Sequence, residues 1–327
     1  MASVSVIVSL YNKEKYIARA LDSVLKQTWR DLEVIVVDDG STDGGPKVVG
    51  GFRDDRVRLI RQKNVGPGAA RNRGVRESSA PYVAFLDADD EWLPVFLETS
   101  LRRLRDNPEC KASCAGFHQG LDRVSCEERL RAWGITDGPW RLPPDMAPVP
   151  MKKAVEALWT GTVVCRRDVV ERFGGFYAKD RCTYGEDNYL WVRIVLNCRI
   201  YRDPSPLAWY HTEASDLGIH GREGVRPPVP ILTDPEPVRA GCRPEYRDTL
   251  ERYLAHIALL TARRHFYAGD RSTARWAVRT FPRMRELGTD YLKLRCEMAS
   301  GPLIRLIARS PTLFRWYEGL TGGRGIA

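Results

Sequence analysis

Residues 82–92, Tyr-Val-Ala-Phe-Leu-Asp-Ala-Asp-Asp-Glu-Trp, decide the fold class. The first five are apolar or aromatic and follow a proline, which predicts a short buried strand. The strand runs into Asp87, Asp89 and Asp90, whose carboxylates repel one another and are costly to remove from water. Because ligands bind at the carboxyl ends of strands in open α/β sheets, a cation is expected there. Carboxylates suit Mg²⁺ or Mn²⁺, which would in turn hold a diphosphate. A solvated acidic turn before a helix is the alternative.

Two upstream stretches predict parallel strands beside this one. Val4–Leu10 is rich in β-branched residues, and residues 13–27 then repeat apolar side chains at helical spacing. Leu32–Val37 is a second apolar run and leads into Asp38 and Asp39. Strand, helix and strand in this order are typical of a right-handed parallel unit. We therefore expect an α/β fold with a mostly parallel sheet flanked by helices.

Two further segments combine glycine with charge. Gly66 and Gly68 precede a helix that carries Arg71 near its start, an arrangement that suits phosphate oxygens, although a solvated helix face is commoner. Glu186 and Asp187 stand directly before another apolar-periodic helix. On this pattern alone, an acidic residue at a helix N-terminus is favoured as a cap or a dipole partner.

Composition places the chain among ordinary globular proteins. It has 327 residues, of which 43% are hydrophobic and 28% charged. The eight cysteines form no CxxC pair, which predicts reduced, buried thiols in a cytosolic setting. The N-terminus shows no signal-peptide pattern, and no apolar run approaches the roughly 20 residues that span a bilayer. We expect a cytoplasmic protein.

The excess of positive over negative charge is concentrated towards the C-terminus. Residues 245–327 hold 15 Lys and Arg against 8 Asp and Glu, which accounts for seven of the nine surplus positive charges. No nucleic-acid motif accompanies this bias, so nucleic acid is not expected as a partner. Residues 303–309 and 313–317 mix bulky apolar side chains with arginine. They could touch an anionic membrane at its inner face or pack on the rest of the protein.

The sequence predicts three regions. Residues 1–215 form the α/β domain, residues 216–244 are a Pro-rich linker or flap, and residues 245–327 are a helical basic extension. Residues 110–150 are expected to be rich in loops, either as part of a second substrate site or as a surface insertion. Residues 200–210 are expected to form a pair of strands.

Four motifs together identify a family resemblance. They are Val-Ile-Val-Ser-Leu-Tyr-Asn (6–12), Val-Val-Asp-Asp-Gly-Ser-Thr-Asp (36–43), Gly-Ala-Ala-Arg-Asn-Arg-Gly (68–74) and Phe-Leu-Asp-Ala-Asp-Asp (85–90). In this order and at this spacing they resemble the family-2 inverting glycosyltransferases of the GT-A (Rossmann-like) fold. The resemblance covers roughly residues 3–100 and reappears at about 160–191.

The resemblance implies transfer of a hexosyl or N-acetylhexosaminyl group from a nucleotide diphosphate sugar. Uridine is the favoured nucleotide, Mn²⁺ or Mg²⁺ the cofactor, and a saccharide or lipid-linked saccharide the acceptor, as in polysaccharide biosynthesis at a cell envelope. The implied metal ligands are Asp89, Asp87 and, as a weaker candidate, His211. The implied nucleotide-binding residues are Tyr11, Asp38, Asp39, Arg71 and Asp87. Glu186 and Asp187 look like the family's catalytic pair, with Asp187 as general base.

Two other classes are weighed against this one. A sugar nucleotidyltransferase would show a Gly-rich, basic loop straight after the first strand, where this chain has Leu10-Tyr-Asn-Lys-Glu. A non-catalytic member of the fold would bind the sugar nucleotide or a glycan without turnover. The intact acidic motifs at residues 87–90 and 186–187 favour a catalyst over a binder.

Overall fold

The computed structural model describes residues 2–214 and 225–299. Within these ranges ten strands form a single sheet. The strands are β1 (Val4–Leu10), β2 (Leu32–Asp38), β3 (Val57–Arg61), β4 (Tyr82–Asp87), β5 (Glu91–Trp92), β6 (Cys110–Gln119), β7 (Val124–Ser125), β8 (Gly138–Trp140), β9 (Val163–Arg166) and β10 (Arg199–Tyr210).

Thirteen α-helices lie in the same described ranges, and several short 3-10 turns lie between them. The helices are α1 (Ile17–Leu25), α2 (Gly45–Gly50), α3 (Pro67–Glu77), α4 (Phe96–Asp106), α5 (Glu127–Ala132), α6 (Pro148–Glu156), α7 (Arg167–Arg172), α8 (Glu186–Asn197), α9 (Pro230–Thr233), α10 (Glu236–Ala240), α11 (Arg247–Tyr267), α12 (Arg271–Thr280) and α13 (Thr289–Met298).

The sheet has the order β3-β2-β1-β4-β9-β6-β10-β5, with β7 beside β6 and β8 beside β10. Strands β1 to β4 are mutually parallel, and β6 and β10 run in the same direction because β9 is antiparallel to both β4 and β6. The short strands β5, β7, β8 and β9 run the other way. The expected α/β class is confirmed, with antiparallel strands added to the parallel ones.

The register brings three strand ends to one edge. Leu10 at the end of β1 lies opposite Asp38 of β2, and Ser9 lies opposite Asp87 of β4. The chain leaves β1 towards β2 on one side and later returns to β4 on the other. In open α/β sheets a crevice forms at such a reversal of strand order.

Alternation along the strands supplies two buried layers. Val6 and Val8 of β1 join a cluster with α1 and α4, whereas Ile7 faces the layer that contains α3 and α8. The second layer also includes Leu254 of α11, so the helical C-terminal region packs on the same core as the sheet. A helical extension was expected and is confirmed.

Two sequence interpretations are wrong. The loop-rich interpretation of residues 110–150 missed β6, whose ten residues are mostly Cys, Ala, Ser and Gly, small residues with weak β-propensity that are buried all the same. Residues 200–210 form the single strand β10 rather than a pair. Its register against β6 shifts between Arg202 and Pro206. Strands tolerate proline chiefly at such bulges, because proline has no N–H to donate to the neighbouring strand.

The division into three regions stays a prediction. Residues 230–240 of the expected linker form the short helices α9 and α10, with Ile231, Leu232 and Val238 buried. The segments 303–309 and 313–317, considered for membrane contact, lie outside the described residues. Among the residues that are described, no helix combines the length and apolar character needed to cross a membrane.

Close packing between α3 and the segment before α8 generates a stability prediction. A Cβ placed on Gly68 would lie 2.2 Å from the carbonyl oxygen of Tyr177, a backbone atom that cannot rotate away. Gly68→Ala should therefore lower the free energy of unfolding by about 1–3 kcal/mol. Urea denaturation measures this. Gly50→Ala, in a helix where a Cβ meets nothing within 4 Å, is the control and should be neutral or slightly stabilising. Equal effects of the two changes would contradict the packing account.

Candidate active site

A cleft of about 910 Å³ opens at the edge where β1 and β4 end. It is bounded by the N-termini of α3 and α8 on one side and by residues of β6, α5 and β10 on the other. Of the acidic, aromatic and basic residues singled out from the sequence, those that line it are Tyr11, Asp39, Arg71, Asp87, Asp89, Asp90, Glu186 and Asp187. Asp38 and His211 do not line it.

Arg71 links the two acidic motifs. Its Nη2 lies 2.7 Å from Asp87 Oδ1 and its Nη1 lies 2.9 Å from Glu186 Oε1, while the side chain is only 7% exposed. Burial alone would lower the pKa of the guanidinium, but Asp87, Glu186 and Asp187 outweigh burial and raise it. Arg71 was expected to contact the nucleotide diphosphate, and this contact stays a prediction. In the structure both of its terminal nitrogens lie against carboxylates, so Arg71 links Asp87 to Glu186.

The first turn of α8 presents the second acidic motif. Gly185, the residue before the helix, has a φ of 76°, a left-handed conformation that glycine adopts at little cost. The helix then begins at Glu186, which is buried. Burial and the neighbouring Asp187 raise the pKa of Glu186 to about 7, although Arg71 acts in the opposite direction. Half-buried Asp187 stays in the cleft lining.

Asp187 is held by a short hydrogen-bonded chain. The Thr160 hydroxyl donates to Asp187 Oδ2 at 3.0 Å, and the backbone N–H of Asn188 donates to Oδ1 at 2.7 Å. The indole N–H of Trp191, which is completely buried, donates to Thr160 Oγ1 at 3.2 Å. Sequence reasoning missed Thr160, since only the turn at Thr160–Thr162 brings it beside α8.

The acidic edge carries its own counter-charge. Ser9 Oγ donates to Asp87 Oδ1 at 3.0 Å, and Lys13 Nζ lies 2.9 Å from Asp89 Oδ2. Burial and Asp87 raise the pKa of Asp89, with Lys13 opposing them. Burial, Asp89 and Asp87 raise the pKa of Asp90 well above its ordinary value. Carboxylates held in this way favour an added cation nearby.

The residues of the cleft suit a divalent metal ion that is bound by one or two carboxylates and otherwise by the phosphates of a substrate. Among the described residues, no group of three or more His, Cys, Asp or Glu side chains converges as a metal cage. Asp87 and Asp89 do stand together in the cleft, and Mg²⁺ is commonly bound by one or two carboxylates together with substrate phosphates. His211 is 2% exposed, and its ring nitrogens lie 2.9 Å from Glu91 and 2.7 Å from Glu213. It supports Asp90, to which its backbone N–H donates, from behind the cleft.

The expected nucleotide-binding residues differ in position. Asp39 lines the cleft and accepts the backbone N–H groups of Val65 and Gly66 at 3.0 and 2.8 Å, so it fixes the loop before α3. Asp38 is buried and accepts the backbone N–H of Ser41 at 2.9 Å. Tyr11 is 45% exposed at the cleft edge, a position open to a stacked base. Nucleotide contacts of all three remain predictions.

Two acidic motifs around a buried arginine thus lie in a crevice at the carboxyl ends of parallel strands, where open α/β sheets bind ligands. The family model "Glycosyl transferase family 2" matches residues 5–174. The chain belongs to this family, and the resemblance found in the sequence is confirmed.

Relatives and solved structures extend the comparison. The chain is 35% identical over 173 residues to the uncharacterized glycosyltransferase YibD of Escherichia coli, an alignment that covers 51% of this chain and 49% of YibD. It is 34% identical over 181 residues to the uncharacterized glycosyltransferase alr2836 of a Nostoc species, with 52% of each covered. The chain thus matches about half the length of these relatives.

Two solved structures share the fold. Staphylococcus aureus TarS 1–349 in complex with UDP matches with a TM-score of 0.59 and 19% identity, covering 98% of this chain and 92% of that one. The mannosyltransferase PcManGT from Pyrobaculum calidifontis, in complex with GDP-Man and Mn²⁺, matches with a TM-score of 0.50 and 20% identity, covering 98% and 84%. The two TM-scores indicate a shared fold, and at identities of 19% and 20% the likeness concerns the fold alone.

The Arg71 bridge generates a second stability prediction. Arg71→Met leaves Glu186 buried without its counter-ion, so the free energy of unfolding should fall by about 3–5 kcal/mol. Adding Glu186→Gln should restore part of the loss, because the uncompensated charge is then gone. Arg73→Met on the same helix removes a pair with Glu77. Because the Arg73 side chain is 39% exposed, the free energy of unfolding should fall by only about 0–1 kcal/mol. Urea denaturation compares the three variants. A loss for Arg71→Met no larger than for Arg73→Met would contradict the bridge.

Proposed function

We propose that the chain is an inverting, metal-assisted glycosyltransferase. It would transfer a sugar from a nucleotide diphosphate sugar, with a UDP-sugar as first candidate, to a hydroxyl of a saccharide or lipid-linked acceptor. The observation that carries the proposal is one cleft in which Arg71 joins Asp87, on the edge with Asp89, to Glu186, next to Asp187. TarS and PcManGT, which share the fold, were solved with UDP and GDP-Man respectively.

Asp187 is the proposed general base. The acceptor hydroxyl must lose its proton as it attacks, and a carboxylate within hydrogen-bonding reach can accept that proton. The bonds from Thr160 and Asn188 hold the Asp187 carboxylate in the cleft while leaving it half-buried rather than sealed. Glu186 is less suited to the task because Arg71 occupies it.

Asp87 and Asp89 are the proposed holders of the divalent cation. When bound, Mn²⁺ or Mg²⁺ would neutralise the charge that builds on the departing diphosphate. Tyr11 and Asp39, which line the same cleft, would contact the nucleotide. A base on one side of the sugar and a leaving group on the other suit a single displacement, which inverts the anomeric configuration. A cytoplasmic location and contact with an anionic membrane stay predictions.

The donor site can be tested by calorimetry. Titration with UDP, GDP, CDP and TDP, with and without Mn²⁺, should show metal-dependent binding of one nucleotide, with UDP first. Asp89→Asn should weaken that binding at least about tenfold, a loss of roughly 1.4 kcal/mol. Asp122→Asn, at an exposed position on the loop before β7, should change nothing. Absence of binding by every nucleotide, with and without metal, would remove the metal–diphosphate interpretation.

The base can be tested by separating binding from turnover. Asp187→Asn should keep metal-dependent nucleotide binding and lower turnover by about 10²–10⁴, the usual contribution of a general base. Turnover is followed as release of the nucleoside diphosphate from sugar derivatives of the nucleotide that binds in the titration. Asp168→Asn is the matched control, since Asp168 is 70% exposed and, within the described ranges, pairs with Arg166 alone, at 3.4 Å. Full activity in Asp187→Asn would show that another residue is the base. If the wild type binds the nucleotide but releases no product, the protein is a non-catalytic binder.

A further inference from the structure

The half of the cleft next to Asp187 is lined with aromatic rings. Phe117, Trp133, Trp159 and Tyr210 all contribute to the lining and are called the aromatic wall. The ring centroids of Phe117 and Trp159 are 4.6 Å apart, and those of Trp159 and Tyr210 are 5.1 Å apart. Three of these rings are therefore in mutual contact across three separate segments of the chain.

The aromatic wall is fixed beside the proposed base. Trp159 immediately precedes Thr160, which donates a hydrogen bond to Asp187. The Trp159 indole folds over Gly161, where a Cβ would lie 2.9 Å from the ring. The Gly161 carbonyl in turn accepts the indole N–H of Trp92 at 2.6 Å. The wall consequently lies beside Asp187 in the cleft, and this part of the cleft is called the acceptor half because Asp187 is the proposed base for the acceptor hydroxyl.

Two cations flank this wall. The Arg129 guanidinium lies 5.8 Å from the Phe117 ring centroid and 5.7 Å from the Trp133 centroid, and Lys153 Nζ lies 5.9 Å from the Trp133 centroid. In the described part of the chain, neither cation forms an ion pair with a carboxylate. Arg129 has one long hydrogen bond, to Gln119 at 3.4 Å.

Neighbouring cations on the same two helices behave differently. Arg131 of α5 pairs with Glu127 at 2.7 Å, and Lys152 of α6 pairs with Glu156 at 2.5 Å. Glu156 also lines the cleft, so Lys152 already offsets its charge. The positive charge of Arg129 is thus left for a ligand in the acceptor half, and Lys153 adds to the positive potential from beside the lining.

We propose that the acceptor half of the cleft binds a saccharide that carries an anionic group, a phosphate or a carboxylate. This rests on the proposed function and names the class of its acceptor. A pyranose ring has one face of C–H bonds that packs on aromatic rings, which the wall supplies. Arginine and lysine bind phosphate and carboxylate oxygens through charge-assisted hydrogen bonds. Arg129 lines the cleft, and Lys153 lies next to the lining, over the Trp133 ring.

The test uses matched pairs of sugars with the full chain saturated with UDP and Mn²⁺. The probes are glucose, galactose and N-acetylglucosamine, each beside its 6-phosphate, together with glucuronate and galacturonate. Affinity is measured by ligand-observed NMR. At least one charged sugar should bind about tenfold or more tightly than its neutral counterpart, which corresponds to roughly 1.4 kcal/mol. Preference for the 6-phosphates or for the uronates distinguishes the two anionic groups.

Variants assign the preference to the two cations. Arg129→Gln combined with Lys153→Gln should remove the difference between charged and neutral sugars while metal-dependent UDP binding is retained. Arg131→Gln, on the same helix as Arg129, should keep the difference, because Arg131 pairs with Glu127, which does not line the cleft. Trp133→Leu should weaken charged and neutral sugars alike, because it removes a stacking surface.

Three outcomes would overturn the acceptor proposal. They are equal affinity within every pair, absence of binding by every charged sugar at millimolar concentration, and a preference that survives loss of both cations. Failure of UDP to bind in the presence of Mn²⁺ would contradict the proposed function instead. The two failures are therefore distinguishable in one set of samples.

Discussion

The buried guanidinium of Arg71 is the interaction on which the site depends. It joins Asp87, at the end of β4, to Glu186, at the start of α8, although the two carboxylates lie 99 residues apart in sequence. Without a cation between them, Glu186 would be a buried, uncompensated charge. One side chain therefore fixes the distance between the two acidic motifs, which are proposed to serve the donor and the acceptor. The proposed in-line displacement would need this fixed separation, because its base and its leaving group would act on opposite sides of one sugar carbon.

Packing beneath the bridge makes it rigid. An aromatic cluster is formed by Phe85 of β4, Trp191 of α8 and Phe176, which precedes α8, with ring centroids 4.9 to 6.4 Å apart. The Arg71 guanidinium lies 5.3 Å from the Phe176 ring centroid. Trp191 also donates the hydrogen bond that begins the chain to Thr160 and Asp187. Rotation of α8 would thus disturb the cluster, the bridge and the proposed base together. The candidate base Asp187 lies in the first turn of a helix that packs on the core, rather than on a loop.

Sequence alone predicted the parts of the fold that depend on local pattern. The strands β1, β2 and β4 are short apolar runs with polar ends, so both their positions and the acidic edge were predictable. It missed β6, whose small residues carry little strand signal. Side-chain direction was equally hidden, because Asp38 and Asp39 are adjacent in sequence and yet only Asp39 lines the cleft. The roles of Thr160 and Arg129 arise from contacts between distant segments, which no local spacing reveals.

In the proposed function one cleft holds a metal-bound diphosphate at Asp87 and Asp89, opposite Asp187. The most direct measurement is a crystal structure of the chain with UDP and Mn²⁺, in which anomalous scattering locates the manganese. The account predicts an anomalous peak between Asp87 and Asp89, the UDP diphosphate beside it, and the Arg71 bridge intact. Manganese or UDP bound away from these two carboxylates, or Arg71 withdrawn from Glu186, would contradict it.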